Sequence, residues 1–206
     1  MRHALRRACV GAAALIGSAQ AADAHIVTSR LGDFYAGALH PLTDLQDLIL
    51  WGALGVLAGS LGAAKGRWLV LVFPLGLWVG LLLRLVFGIA SAGPVADAGM
   101  IVVVGLLLAA EARVPAALLC AIALGLALMR GAANASEVGS ETNQVLFAAG
   151  LAVAGYVAIT LIMALTLAFR GTDAAGSIAW RSIAIRAIGS WIAAIGIMMG
   201  GFALVS

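Results

Sequence analysis

The chain has 206 residues, of which 64% are hydrophobic and 10% charged, with a formal net charge of +3. Soluble domains carry about 45–50% apolar and about 25% charged residues, so a water-soluble fold would lack the polar side chains to cover its surface. The apolar fraction and the lack of a matching repeat exclude disorder, coiled coil and collagen, while 26 glycines suit membrane helices that approach closely through small residues.

The basic charge is concentrated at the start. Arg2, Arg6 and Arg7 precede an apolar run from Ala8 to Ile16, and small residues follow in Ala19-Gln20-Ala21 and Ala22-Asp23-Ala24. This pattern of a charged start, a short apolar run and an A-x-A-like site predicts a signal peptide over residues 1–24. Residues 25–206 then form a single membrane domain. The alternative is a retained first span, but the run is short for about 30 Å of hydrocarbon. Cleavage leaves nine Lys/Arg against eight Asp/Glu, so the charge balance gives no reason to expect a nucleic-acid partner. It also leaves Cys120 as the single thiol, with no intramolecular disulfide expected. Cys9 precedes the apolar run instead of following it, which does not suit lipid attachment.

Six apolar runs follow, near 46–64, 67–90, 96–112, 114–130, 144–169 and 182–204. Polar and flexible breaks separate them, among them Lys65-Gly66-Arg67, Ser91-Ala-Gly93-Pro94, residues 131–143 and Gly171–Ser177. Each run must be helical, because lipid offers no partner to a bare peptide group. The expected class is an all-α integral membrane protein, a six-helix transmembrane bundle. With a cleaved leader, Lys65, Arg67, Arg113, Arg170, Arg181 and Arg186 fall at cytoplasmic ends, Arg30 and Arg130 fall outside, and Arg84 lies within the second span. This distribution follows the positive-inside rule. The expected location is the bacterial inner membrane, with the lipid bilayer as partner and both mature termini periplasmic. Gly55-x-x-x-Gly59, Gly76-x-x-x-Gly80 and Gly196-x-x-x-Gly200 predict close helix packing within the bundle.

Ionisable groups at span ends carry whatever chemistry the chain has, because such groups are costly in a membrane. The densest set is His40-Pro41-Leu42-Thr43-Asp44-Leu45-Gln46-Asp47, at the outer end of the first span. Pro41 and Thr43 suit a helix start, and Asp44 and Asp47 are spaced to share a face near the positive end of the helix dipole. His40 is expected outside the regular helix or in a preceding turn. One imidazole and two carboxylates suit a divalent cation; the same carboxylates also suit plain helix capping. Arg84, Asp97, Arg130 and Asn134 reach the same face under this topology. Asp97 is a weaker metal candidate and an alternative cap. Arg84 and Arg130 are candidate ion-pair partners for Asp44 or Asp47. Thr160 and Thr166 are expected to bond to backbone one turn back. No catalytic triad, Cys-x-x-Cys, zinc-protease or nucleotide motif is present in the sequence, so no enzyme activity and no bound cofactor are expected.

At Gly37-Ala-Leu-His40-Pro41-Leu-Thr-Asp44-Leu-Gln46-Asp47-Leu the chain resembles the HupE/UreJ family of small bacterial membrane proteins. The resemblance runs on through Ala24-His25 after the leader, Arg67-Trp68…Phe73-Pro74-Leu75, the short connection 111–114 and the polar loop after span four. It closes with Gly155-Tyr-Val-Ala-Ile-Thr160 and Arg186-Ala-Ile-Gly189…Gly196. It implies a permease for nickel or cobalt, associated with hydrogenase and urease. The family's His-Pro motif continues with Gly and then Asp-His, where this chain has Asp44, Gln46 and Asp47. Its histidine-rich run after span four is here Arg130-Gly131-Ala132-Ala133-Asn134, and a further family histidine falls at about Ala164. His40 and the leader-proximal His25 are the histidines that match. Imidazole is a favoured ligand for these ions, so the resemblance carries the fold further than the cargo. His40, Asp44 and Asp47 remain candidates for an oxygen-rich cation site. His25, if freed by cleavage after Ala24, would set an imidazole beside an α-amine, a chelating pair. The expected function is a secondary or passive permease whose ancestral cargo is a divalent metal ion. The alternative is a metal-blind paralogue acting as a membrane scaffold or accessory protein.

Overall fold

The computed structural model describes residues 23–171 and 178–205. Residues 1–22 of the expected leader, and the connection at 172–177, lie outside the described residues. Among the described residues there are seven α-helices, one 3-10 turn at Ala135–Glu137 and no strand. They are α1 (Asp23–Thr43), α2 (Leu45–Ser60), α3 (Ala63–Phe87), α4 (Pro94–Ala109), α5 (Ala116–Asn134), α6 (Gln144–Arg170) and α7 (Ile178–Val205). The protein is a multi-pass membrane protein. α3, α5, α6 and residues Trp180–Val205 of α7 are long and apolar enough to cross a bilayer. Gly32–Thr43 of α1 and the whole of α2 make a fifth candidate only as a pair bent by 82°. α4 is apolar but has 16 residues, short of the roughly 20 that about 30 Å of hydrocarbon asks for. Length and composition therefore give four or five crossings, where the apolar runs of the sequence suggested six.

α1 is the element that the sequence did not predict. It is broken at Gly32, where φ is 74°, and it carries His40 and Pro41 in its last turns. The helix boundary falls at Asp44, so neither Pro41 nor Thr43 begins the next helix. Thr43 instead donates its hydroxyl to the His40 carbonyl at 2.8 Å. Asp44 takes an extended conformation and caps α2, accepting the Gln46 and Asp47 amides on Oδ1 at 2.8 and 3.4 Å. A cap on the second helix, directly after the last residue of the first, makes the bend sharp.

The core lies where α2, α3, α5 and α6 meet. Leu54, Leu57, Leu69, Phe73, Leu77, Leu81, Leu151 and Ile159 are fully buried there, and the Trp51 ring meets Phe73 edge-on at 5.8 Å. Small residues set the spacing, as the three glycine pairs predicted. Cβ atoms at Gly55 and Gly59 would run into Ile162 and Thr166 of α6. At Gly76 and Gly80 they would meet Ala127 and Leu128 of α5, and at Gly196 and Gly200 they would face α4 at Val102 and Ala98. These contacts fix direction: α2 runs with α6, α3 runs with α5, and α4 runs against α7. α1 crosses α6 through Gly37 and Gly150, where a Cβ on either would strike a carbonyl of the other helix. The outward faces of the helices expose Leu75, Trp78, Val157, Leu161, Leu165, Ile197 and Met198, as suits helices that face lipid.

Candidate functional site

One end of the bundle gathers His40, Asp44, Gln46, Asp47, Asp97, Arg130 and Asn134, the larger part of the polar side chains that the sequence singled out. Asp44 caps α2, and Asp47 lies in its first turn. Asp97 sits in the first turn of α4, while Arg130 and Asn134 sit in the last turns of α5. Two helix starts and one helix end therefore meet, and the Arg130 guanidinium stands among the carboxylates. Its Nε donates to Asp47 Oδ1 at 2.7 Å, Nη1 to Gln46 Oε1 at 3.0 Å and Nη2 to Asp44 Oδ2 at 2.5 Å. Asp97 Oδ2 lies 3.4 Å from Nη1. Asn134 donates its amide to Asp47 Oδ2 at 2.9 Å, and its carbonyl faces His40 Nε2 at 3.1 Å.

Asp47, Arg130 and Asn134 are respectively 0%, 2% and 2% exposed, so water does not solvate these three side chains. The guanidinium fork fits the arrangement because its donors diverge in one plane and reach several acceptors at once. Every oxygen of Asp44 and Asp47 accepts at least one N–H. The group still carries three carboxylates against one guanidinium. Asp97 Oδ1 is buried with no hydrogen-bond partner among the described residues.

His40, Asp44 and Asp47 are brought close enough to hold a cation: each offers one ligand atom, and these lie within 4.8 Å of one another. All three residues are also engaged by α5, through Arg130 and Asn134. Arg84 is not part of the group; its Nη1 donates to the Ile89 carbonyl at 3.3 Å beyond the end of its own helix. His25 lies in α1, and its side chain falls outside the described residues. Thr166 bonds back to the Ile162 carbonyl at 2.8 Å, as expected. Thr160 does not: its buried hydroxyl has no partner among the described residues. Gln46 is the functional contact with no prior role. It stood in the polar cluster, and only the bend at Asp44 turns its amide toward α5.

These helices, with buried ionic groups at one end, define a multi-pass membrane protein. The family model for "HupE / UreJ protein" matches residues 13–199. The chain belongs to the HupE/UreJ family. No curated protein and no solved structure matches it significantly.

Proposed function

We propose that the protein is a permease-type protein of the bacterial inner membrane, with six spans and periplasmic mature termini, whose outer cation site is filled by its own Arg130. A divalent transition metal is the ancestral cargo, and a nickel or cobalt ion is held weakly here. The observation that carries this reading is the saturation of the site: each oxygen of Asp44 and Asp47 already receives an N–H donor. A metal ion entering between these carboxylates would also have to approach a fixed guanidinium. The test is calorimetry of the purified protein with nickel. Binding no tighter than about millimolar, roughly 4 kcal/mol of free energy, is expected; micromolar binding that survives deletion of His25 overturns the reading.

A second reading has transport of a cation that displaces Arg130, and the surplus of carboxylates favours it. Metal uptake by cells expressing the protein, with His40→Ala as control, separates the two. Uptake lost in that variant supports displacement. No uptake above background supports a metal-blind role as membrane scaffold or accessory protein.

A further inference from the structure

The opposite end of the bundle holds a different kind of site. α2 takes about 20 Å to run from Asp47 to Ser60 at 1.5 Å per residue. At its far end a pocket of about 210 Å³ is lined by Ser60, Leu61, Glu111, Ala112, Arg113 and Arg170. Three elements build it: the end of α2, the α4–α5 connection and the end of α6. The connection is held in a tight form by Glu111, whose φ is 51°.

Arginines at helix C-termini ordinarily serve the free carbonyls there. In this protein others do that work. Arg186 Nε donates to the Ala109 carbonyl at the end of α4, at 3.1 Å, and Arg181 Nη1 to the Arg170 carbonyl at the end of α6, at 2.9 Å. Among the described residues, no ion pair or hydrogen bond engages the guanidinium of Arg113 or of Arg170. The one carboxylate in the wall, Glu111, accepts the Ser182 hydroxyl at 2.6 Å. Among the described residues the pocket is thus a polar recess with two unengaged planar cations and a net positive wall.

Aromatic residues give its depth. Trp68, Phe169 and Trp180 are partly exposed at this same end, with Phe169 against Trp180 at 5.4 Å and the Arg67 guanidinium 5.3 Å from the Trp68 ring. Exposed aromatic rings paired with cations mark the level of lipid headgroups. Lipid phosphate is abundant at that level, and guanidinium matches phosphate in two-pronged geometry. The volume suits a phosphate and its nearest ester atoms, not an acyl chain.

We propose that the Arg113–Arg170 pocket binds the phosphate group of an anionic phospholipid. This site is independent of the proposed function, since both arginines lie at the end away from Asp47. The test is native mass spectrometry on the full-length protein in neutral detergent. Three probes are used: phosphatidylglycerol, diacylglycerol with the same chains, and inorganic phosphate. Phosphatidylglycerol is expected to be retained and diacylglycerol lost. The double variant Arg113→Gln, Arg170→Gln should weaken retention at least about tenfold, the scale of one hydrogen bond to a charged group. The double lysine variant, which keeps the charge and loses the fork, should fall between. Binding of inorganic phosphate with the same arginine dependence, and no hold on phosphatidylglycerol, keeps the phosphate site and overturns the lipid as its source. Retention equal in wild type and the glutamine variant, or equal for phosphatidylglycerol and diacylglycerol, overturns the proposal. Should the double variant fail to fold, the single variants Arg113→Gln and Arg170→Gln decide, because each must weaken retention.

Discussion

Asp47 accepts Arg130 Nε on one oxygen at 2.7 Å and the Asn134 amide on the other at 2.9 Å, so a single helix, α5, satisfies both oxygens of a wholly buried carboxylate. Arg130 and Asn134 are four residues apart and therefore share one face of that helix. Taking a carboxylate out of water costs several kcal/mol, and an opposite charge offsets this only when the remaining lone pairs are also bonded. The three side chains meet that condition together and not in pairs.

Asp47→Ala should therefore lower the stability of the detergent-solubilised protein by about 3–5 kcal/mol, because it breaks a buried ion pair and leaves Arg130 Nε and the Asn134 amide without an acceptor. Asp44 is 27% exposed at its side chain, so Asp44→Ala should cost less, about 1–2 kcal/mol, mainly through the lost helix cap. Thermal or denaturant unfolding followed by circular dichroism gives both values. Exchanging the charges, Asp47→Arg with Arg130→Asp, should recover part of the Asp47→Ala loss. An Asp47→Ala cost under about 1 kcal/mol, the range of solvated pairs, would contradict the burial.

The helices α2 to α7 were legible because each is an apolar run bounded by polar or flexible breaks, even where the run is short, as in α4. The shared location of Asp44, Asp47, Asp97 and Arg130 followed from topology, since alternation puts alternate helix ends at one face. Other features were not legible. α1 contains Arg30, Asp33, His40 and Pro41, so it has no span-like hydropathy, and Pro41 looks like a helix start when it in fact lies in a last turn. The lengths of Arg84 and Arg130 are the same, and only the direction of the helix face decides that one reaches the carboxylates and the other the Ile89 carbonyl. Thr160 and Thr166 have the same chemistry, and packing alone decides which hydroxyl finds a carbonyl.

Close approach of α1 and α6 depends on two glycines, and this separates packing from propensity. A Cβ at Gly37 or Gly150 meets backbone of the facing helix, which cannot swing aside. Gly150→Val should destabilise by at least about 1–3 kcal/mol, the usual cost of overpacking. Gly52 in α2 has open space around its missing side chain, so Gly52→Ala should gain about 0.5–1 kcal/mol from helix propensity. Melting temperatures that move in the same direction for both variants would argue against the crossing.

Orientation is tested by reporter fusions. Lys65, Arg67, Arg113, Arg170, Arg181 and Arg186 lie at one set of helix ends, and the positive-inside rule assigns these to the cytoplasm. Fusions after residue 92 and after residue 138 should report periplasm, and one after residue 175 cytoplasm. The opposite pattern at two of the three would place the Asp47 end inside and remove the case for an outward-facing cation site.

The last prediction concerns what happens when the tethered cation is removed. Arg130→Ala leaves Asp44, Asp47 and Asp97 together with no compensating charge, in a site where Asp47 has no access to water. The variant should be less stable than wild type, and it should also have gained a reason to bind a free cation. His40 stands beside two of these carboxylates with its ligand atoms in range, and imidazole favours nickel and cobalt over magnesium. A ligand that binds only the folded state stabilises it by about 2.7 kcal/mol at a hundredfold excess over its dissociation constant. Nickel should therefore raise the melting temperature of Arg130→Ala and leave wild type unmoved. Adding His40→Ala to the variant should remove the preference for nickel over magnesium while keeping some response to both. If nickel leaves Arg130→Ala as unmoved as wild type, then the carboxylates are not a cation site waiting behind the guanidinium, and Arg130 is a structural cross-link between α2 and α5.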